Sequence, residues 1–125
     1  MKKLKIYEYA KCDTCRKALK FLDARGAAYE KIDITTQAPS RAELEKMLAL
    51  QGGDLRKLFN TSGVVYKEMK LSEKLPTLTP AAALSLLEKN GRLVKRPFVL
   101  GEKSGAVGFR EEEWKKLFAK GEKNV

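Results

Sequence analysis

The chain of 125 residues has no histidine, two cysteines, four prolines and one tryptophan. It also lacks any apolar run of membrane-spanning length. Without histidine there are no Cys–His or Ser–His nucleophile pairs, and no metal site that depends on an imidazole. Two cysteines cannot form a disulfide scaffold. Nor do two thiolates complete a tetrahedral zinc site, which leaves only a site shared between subunits. The lysine-rich N-terminus lacks the apolar stretch of a signal peptide. A cytoplasmic protein is therefore expected, in which a close cysteine pair serves redox chemistry rather than structure. Residues 1–125 are expected to form a single domain, long enough to bury a hydrophobic core.

Acidic residues are the under-represented charge: 16 against 26 lysines and arginines, for a net charge of +10. Such an excess favours encounter with acidic partners such as nucleic acid, acidic protein surfaces or oxyanions. The basic residues are interspersed with Glu and Asp, however, and aromatic residues do not cluster among them. A solvated basic surface accounts for this pattern, and no nucleic-acid motif is present. No bound cofactor is expected, and a monomer is.

The chemistry that is present centres on Cys12 and Cys15, in Tyr9-Ala10-Lys11-Cys12-Asp13-Thr14-Cys15-Arg16-Lys17. Before them, Leu4 and Ile6 alternate with polar residues as in a strand. After them, Cys15, Ala18, Leu19 and Leu22 recur at helical spacing. The pair therefore stands at a strand-to-helix junction, where unpaired N–H groups and the helix dipole favour a thiolate. Lys11, Arg16 and Lys17 add to that effect, and Asp13 opposes it. Thr14 is a candidate helix cap. Cys15, one turn into the helix, is expected to face the core and to resolve a mixed disulfide or sulfenic acid formed at Cys12. The alternative is that both are inert buried cysteines.

Further along, Gly26 suits a left-handed helix cap, and residues 29–35 read as a second strand. One helix between two strands makes them parallel. Ser40-Arg41-Ala42-Glu43 is a capping box opening a helix that Gly52-Gly53 ends. Residues 54–59 read as a short helix, and 64–70 lean the same way. Thr79-Pro80 starts another, closed at Asn90-Gly91. Residues 93–100 form a third strand interrupted by Pro97, and 106–109 a fourth. The short turn between them makes an antiparallel hairpin. Three glutamates open a last helix around Trp114, and residues 120–125 are a charged tail. A β-α-β followed by a β-β-α is the layout of a thioredoxin-like fold, an α/β class with a mixed four-stranded sheet. Residues of about 40–90 are then a helical insertion. Pro97, unable to donate a ladder hydrogen bond, belongs at the start of its strand.

Four motifs in order resemble the arsenate reductase (ArsC)-like family, in particular its Spx/MgsR-type branch. They are Tyr9-x-x-Cys12-x-Thr14-Cys15-Arg16-Lys17-Ala18, Leu58-Phe59-Asn60-Thr61-Ser62-Gly63-x-x-Tyr66, Lys95-Arg96-Pro97 and Val107-Gly108-Phe109. The resemblance implies Cys12 as the reactive cysteine, Arg96 beside it, and a cis-Pro97 facing the thiols. It implies substrate contacts from Thr14, Asn60 and Pro97. It also implies glutathione, glutaredoxin or thioredoxin as a thiol reductant, and, for the Spx/MgsR branch, a partner among RNA polymerase subunits. The arsenate reductases of this family use three arginines for the oxyanion. Arg96 matches one, while Asn60 and Phe109 stand where the others belong, with Arg110 adjacent to the latter. Those enzymes also lack a cysteine at the Cys15 position. The expected function is a thiol–disulfide oxidoreductase or redox switch. The alternatives are an RNA polymerase-binding regulator and an arsenate reductase.

Overall fold

The computed structural model describes residues 3–118, so the charged tail at 120–125 lies outside the described residues. The described residues divide into two compact units, 3–33 with 96–118 and 34–95. Among the described residues, no helix is long and apolar enough to cross a membrane.

In the first unit, β1 (Leu4–Glu8) leads into α1 (Asp13–Ala24) and then β2 (Tyr29–Asp33), which lies parallel to β1. β3 (Phe98–Leu100) and β4 (Gly105–Val107) complete an antiparallel hairpin, giving the sheet order β2-β1-β3-β4. α6 (Glu111–Leu117) follows. This is the thioredoxin-like arrangement. Leu4 and Ile6 of β1, Ala18 and Leu22 of α1, Val99, Ala106, Trp114 and Phe118 form one buried cluster. Trp114 sits among Phe21, Phe109 and Phe118 in edge-to-face contacts, and its indole N–H donates to the Gly108 carbonyl at 3.2 Å. A buried indole needs such a partner to keep its donor satisfied.

Local signals fix the ends of these elements. α1 stops where Gly26 takes a positive φ of 67° and Ala27 N–H reaches back to the Leu22 carbonyl at 3.0 Å. The third strand is shorter than the expected 93–100. Residues 91–93 form a 3-10 turn, and Val94 and Lys95 pair instead with Leu58 and Phe59, Lys95 N–H donating to the Leu58 carbonyl at 2.8 Å. β3 starts directly after Pro97, whose missing N–H cannot join a ladder. The fourth strand runs over 105–107 rather than 106–109, because Gly108, at φ 73°, turns the chain out of the sheet.

The second unit is helical. It contains α2 (Arg41–Leu50), α3 (Val64–Glu68), α4 (Leu71–Lys74) and α5 (Pro80–Lys89), with 3-10 turns at Leu55–Leu58, Leu75–Thr77 and Gly91–Leu93. The expected capping box is complete: Glu43 N–H donates to Ser40 Oγ, and Ser40 N–H donates to the Glu43 carboxylate at 2.9 Å. Thr79 Oγ1 accepts from Ala82 N–H and caps α5, with Pro80 at its first position. α2 packs on α5, where the Arg41 guanidinium donates to Ser85 Oγ and pairs with Glu88 at 3.0 Å. The short helix expected at 54–59 is a 3-10 turn over Leu55–Leu58, with Asp54 accepting from Arg56 N–H. The short helix α4 carries no pattern strong enough to read in sequence; its buried residue is Leu71.

Candidate active site

Cys12 occupies the N-cap of α1. Its φ and ψ are extended, its N–H donates to the Tyr9 carbonyl at 3.0 Å, and its sulfur accepts from Cys15 N–H at 3.4 Å. The cap is thus the cysteine itself rather than Thr14. Thr14 lies inside the helix at its second position and is exposed, too late in the chain to cap it. Cys12 is half-buried and Cys15 fully buried, and both are free thiols. Cys15 extends the buried stripe of Ala18 and Leu22, so amphipathic spacing turns it inward.

β3 carries the other half of the site. Tyr7 pairs with Phe98 at the end of the antiparallel register of β1 and β3, and Glu8-Tyr9 and Arg96-Pro97 lie just beyond that last pair. The Arg96–Pro97 peptide bond is cis, and Pro97 is buried. The Arg96 guanidinium stands 5.0 Å from the centre of the Tyr9 ring and hydrogen-bonds the Cys12 sulfur. A cation held over an aromatic face keeps its orientation with few competing partners.

The two thiols are driven apart electrostatically. Burial pushes the Cys12 thiol up. The Cys15 S–H and N–H, the Arg96 hydrogen bond and the Arg96 charge outweigh it, so Cys12 ionises below the ordinary thiol range. Burial pushes the Cys15 thiol up to about 12, opposed by the Tyr9 N–H that donates to its sulfur. Donation of its proton to Cys12, the Cys12 charge and the Glu8 charge add to the rise. The arrangement favours the charged form of Cys12, through Cys15 and Arg96, and the protonated form of Cys15.

Of the other charges near Cys12 in sequence, Arg16 is directed elsewhere. Its Nε donates to the Ala10 carbonyl at 2.9 Å, and its guanidinium pairs with Asp13 at 3.1 Å. Lys11 and Lys17 are exposed. Asn60 lies in the second unit, where its N–H donates to the Leu93 carbonyl at 2.7 Å and its carbonyl accepts from Gly63 N–H. Phe109 lies within the aromatic cluster on Trp114 and Phe21. Arg110 is 81% exposed and faces Glu113.

Sequence spacing does not single out two further residues of the site. Tyr9 supports Arg96, a contact set by strand register that local spacing does not reveal. Glu8 is the one buried charged residue among those described. A signal for it exists: the alternation of Leu4 and Ile6 extends to Glu8, placing it on the same inward row.

Comparison with known proteins agrees with this geometry. The model of the ArsC family matches residues 7–117. The chain is 41% identical to the uncharacterized protein YusI of Bacillus subtilis, over 93% of this chain and 98% of that protein. It is 29% identical to the global transcriptional regulator Spx of Streptococcus mutans, over 82% of this chain and 73% of the regulator. Among solved structures, it superposes on an ArsC family related protein from Bacteroides fragilis with a TM-score of 0.87 and 46% identity, covering 93% of this chain and 98% of the other.

Proposed function

The chain belongs to the ArsC family, and we propose that it is a redox-active thiol protein whose Cys12 and Cys15 interconvert between dithiol and disulfide. The observation that carries this reading is the opposition of two thiols one helical turn apart, Cys12 biased toward thiolate and Cys15 held protonated near it. A low-pKa thiolate is the attacking group in thiol–disulfide exchange, and a protonated neighbour is a resolving thiol held in reserve. The Cys12 thiolate attacks a substrate disulfide, forms a mixed disulfide and releases one thiolate. Cys15 then loses its proton and attacks the Cys12 sulfur, releasing the second thiolate and closing the internal disulfide. A thiol reductant, namely glutathione, glutaredoxin or thioredoxin in a reducing cytoplasm, returns both to thiols. Arg96 stabilises the thiolate, and Thr14 and Pro97 are the proposed substrate contacts. A substrate role for Asn60 rests on the family pattern alone.

Relatives named as transcriptional regulators support a second reading, in which the same couple switches a regulator that binds an RNA polymerase subunit. Support for arsenate reduction is weaker: Phe109 is enclosed by aromatic rings and Arg110 points to solvent. The test is a pull-down from the native cell under reducing and oxidising conditions, paired with turnover of a small disulfide substrate. Turnover without polymerase subunits in the eluate supports the oxidoreductase. Redox-dependent capture of those subunits supports the switch. Absence of both, with no thiol exchange at Cys12, overturns the proposal.

A further inference from the structure

The helical unit holds a cleft of about 310 Å³ that the dithiol chemistry does not use. It lies between the 3-10 turn at Leu55–Leu58, α3, α4 and the turn that follows α4. Leu55, Leu75 and Pro76 give it apolar walls, while Asp54, Arg56 and Tyr66 bring polar groups to it. Tyr66 closes the Leu58–Tyr66 motif and is 5% exposed, its ring tilted against that of Phe59 with centroids 6.2 Å apart. Its hydroxyl has no hydrogen-bond partner among the described residues, yet it is not sealed away from solvent. A buried phenol ordinarily finds a protein partner, so this hydroxyl is presented to the cleft that Tyr66 lines. Asp54 and Arg56 flank Leu55 with opposite charges. Asp54 Oδ1 accepts from Arg56 N–H at 3.1 Å, which holds the carboxylate in place and leaves its other oxygen unused. Among the described residues, neither side chain is in an ion pair.

We propose that this cleft binds a free α-amino acid with a large apolar side chain. The ligand's carboxylate accepts from the Arg56 guanidinium and the Tyr66 hydroxyl, and its ammonium group donates to the Asp54 carboxylate. Its side chain lies against Leu55, Leu75 and Pro76, where removal of apolar surface from water drives association. Other classes of small molecule match these groups less well. A simple anion sets a like charge against Asp54, and a simple cation does the same to Arg56. A neutral apolar molecule leaves the Tyr66 hydroxyl without a partner, a buried polar group that gains nothing from being covered. A cleft of about 310 Å³ stands at the lower end of the range for small-molecule sites, roughly 300–1,000 Å³, and suits a compound of amino-acid size rather than a dinucleotide. Asp54 and Arg56 are exposed, so both charges keep contact with water and the affinity expected of the site is modest. The site is independent of the dithiol chemistry, which belongs to the other unit.

The experiment titrates the whole, reduced, 15N-labelled protein with L-leucine, N-acetyl-L-leucine and L-leucinamide, and follows the backbone amide signals. The two blocked compounds lack the ammonium and the carboxylate respectively. Leucine should shift the signals of Asp54, Leu55, Arg56, Tyr66 and Leu75 saturably, with a Kd of about 1 mM or tighter. Each blocked compound should bind the wild-type protein about tenfold more weakly, as loss of one charge-assisted contact would produce. The variants then assign the contacts. Arg56→Gln should weaken leucine and leave leucinamide unchanged. Asp54→Asn, which keeps an oxygen for Arg56 N–H, should weaken leucine and leave N-acetyl-leucine unchanged. Tyr66→Phe keeps the ring against Phe59 and should weaken leucine about threefold to tenfold. No saturable shift with leucine up to about 20 mM, or shifts confined to residues outside the cleft, would overturn the site. Equal binding of leucine and both blocked compounds to the wild-type protein would overturn the choice of a zwitterion, whatever the variants do.

Discussion

At the scale of single residues, the site depends on Arg96 and Glu8, which act on the two thiols in opposite senses. The Arg96 guanidinium favours the charged form of Cys12, so Arg96→Ala should raise the Cys12 pKa. A tenfold change in that ionisation equilibrium corresponds to about 1.4 kcal/mol, large enough to read from alkylation rate against pH in a Cys15→Ser background. Overlapping titration curves with and without Arg96 would show that no such coupling exists. Glu8 makes a second, thermodynamic forecast. Its folded pKa lies above the usual 4.5, so the fold disfavours its charged form. Its contribution to stability is therefore whole below 4.5 and is lost as pH rises through the raised value. Glu8→Gln should be more stable than wild type at neutral pH and indistinguishable from it below that window, as measured by urea unfolding across the range. A mutant less stable at neutral pH would contradict the direction of the shift. The cysteines, Arg96 and Pro97 are legible in the sequence because spacing and motif announce them. The Arg96–Tyr9 contact is not, since it depends on how β1 and β3 align.

At the scale of elements, legibility follows the range of the signal. The caps of α1, α2 and α5 are readable because glycine at positive φ, the Ser40–Glu43 box and Thr79-Pro80 act within a few residues. Ser40→Ala removes the hydroxyl that accepts from Glu43 N–H and should cost about 1 kcal/mol in thermal or urea unfolding. The true start of β3 is less readable. Val94 and Lys95 pair with Leu58 and Phe59, far away in sequence, and the stretch 93–100, apolar except for Lys95 and Arg96, does not reveal that pairing. Gly91 shows the same limit. It reads as a helix terminator, yet it is buried, and a Cβ there would fall on the Ile34 carbonyl oxygen. Gly91→Ala should therefore destabilise by at least about 1–3 kcal/mol, because backbone must move to admit the methyl group. A variant as stable as wild type would show that the backbone at Gly91 yields without cost.

At the scale of the molecule, strand and helix order is enough to give the thioredoxin-like layout, since β-α-β and β-β-α units have few alternative arrangements. The helical unit is legible as helices but not as a fold, because its short elements α3 and α4 carry little periodicity of their own. The net charge of +10 identifies no partner by itself. Arsenate turnover coupled to glutathione or thioredoxin should be absent or very weak. Each charge-assisted contact missing from a developing oxyanion removes about 2–4 kcal/mol of transition-state stabilisation. Phe109 and the solvent-facing Arg110 supply none. Robust turnover would return the protein to the reductases. All of these readings depend on Cys12 and Cys15 acting as one couple, and oxidation of the whole protein tests that directly. After brief peroxide treatment, alkylation followed by mass measurement should show both thiols lost together, a mass lower by two hydrogen atoms, and full recovery with a dithiol reductant. Complete alkylation of both cysteines after peroxide would contradict it.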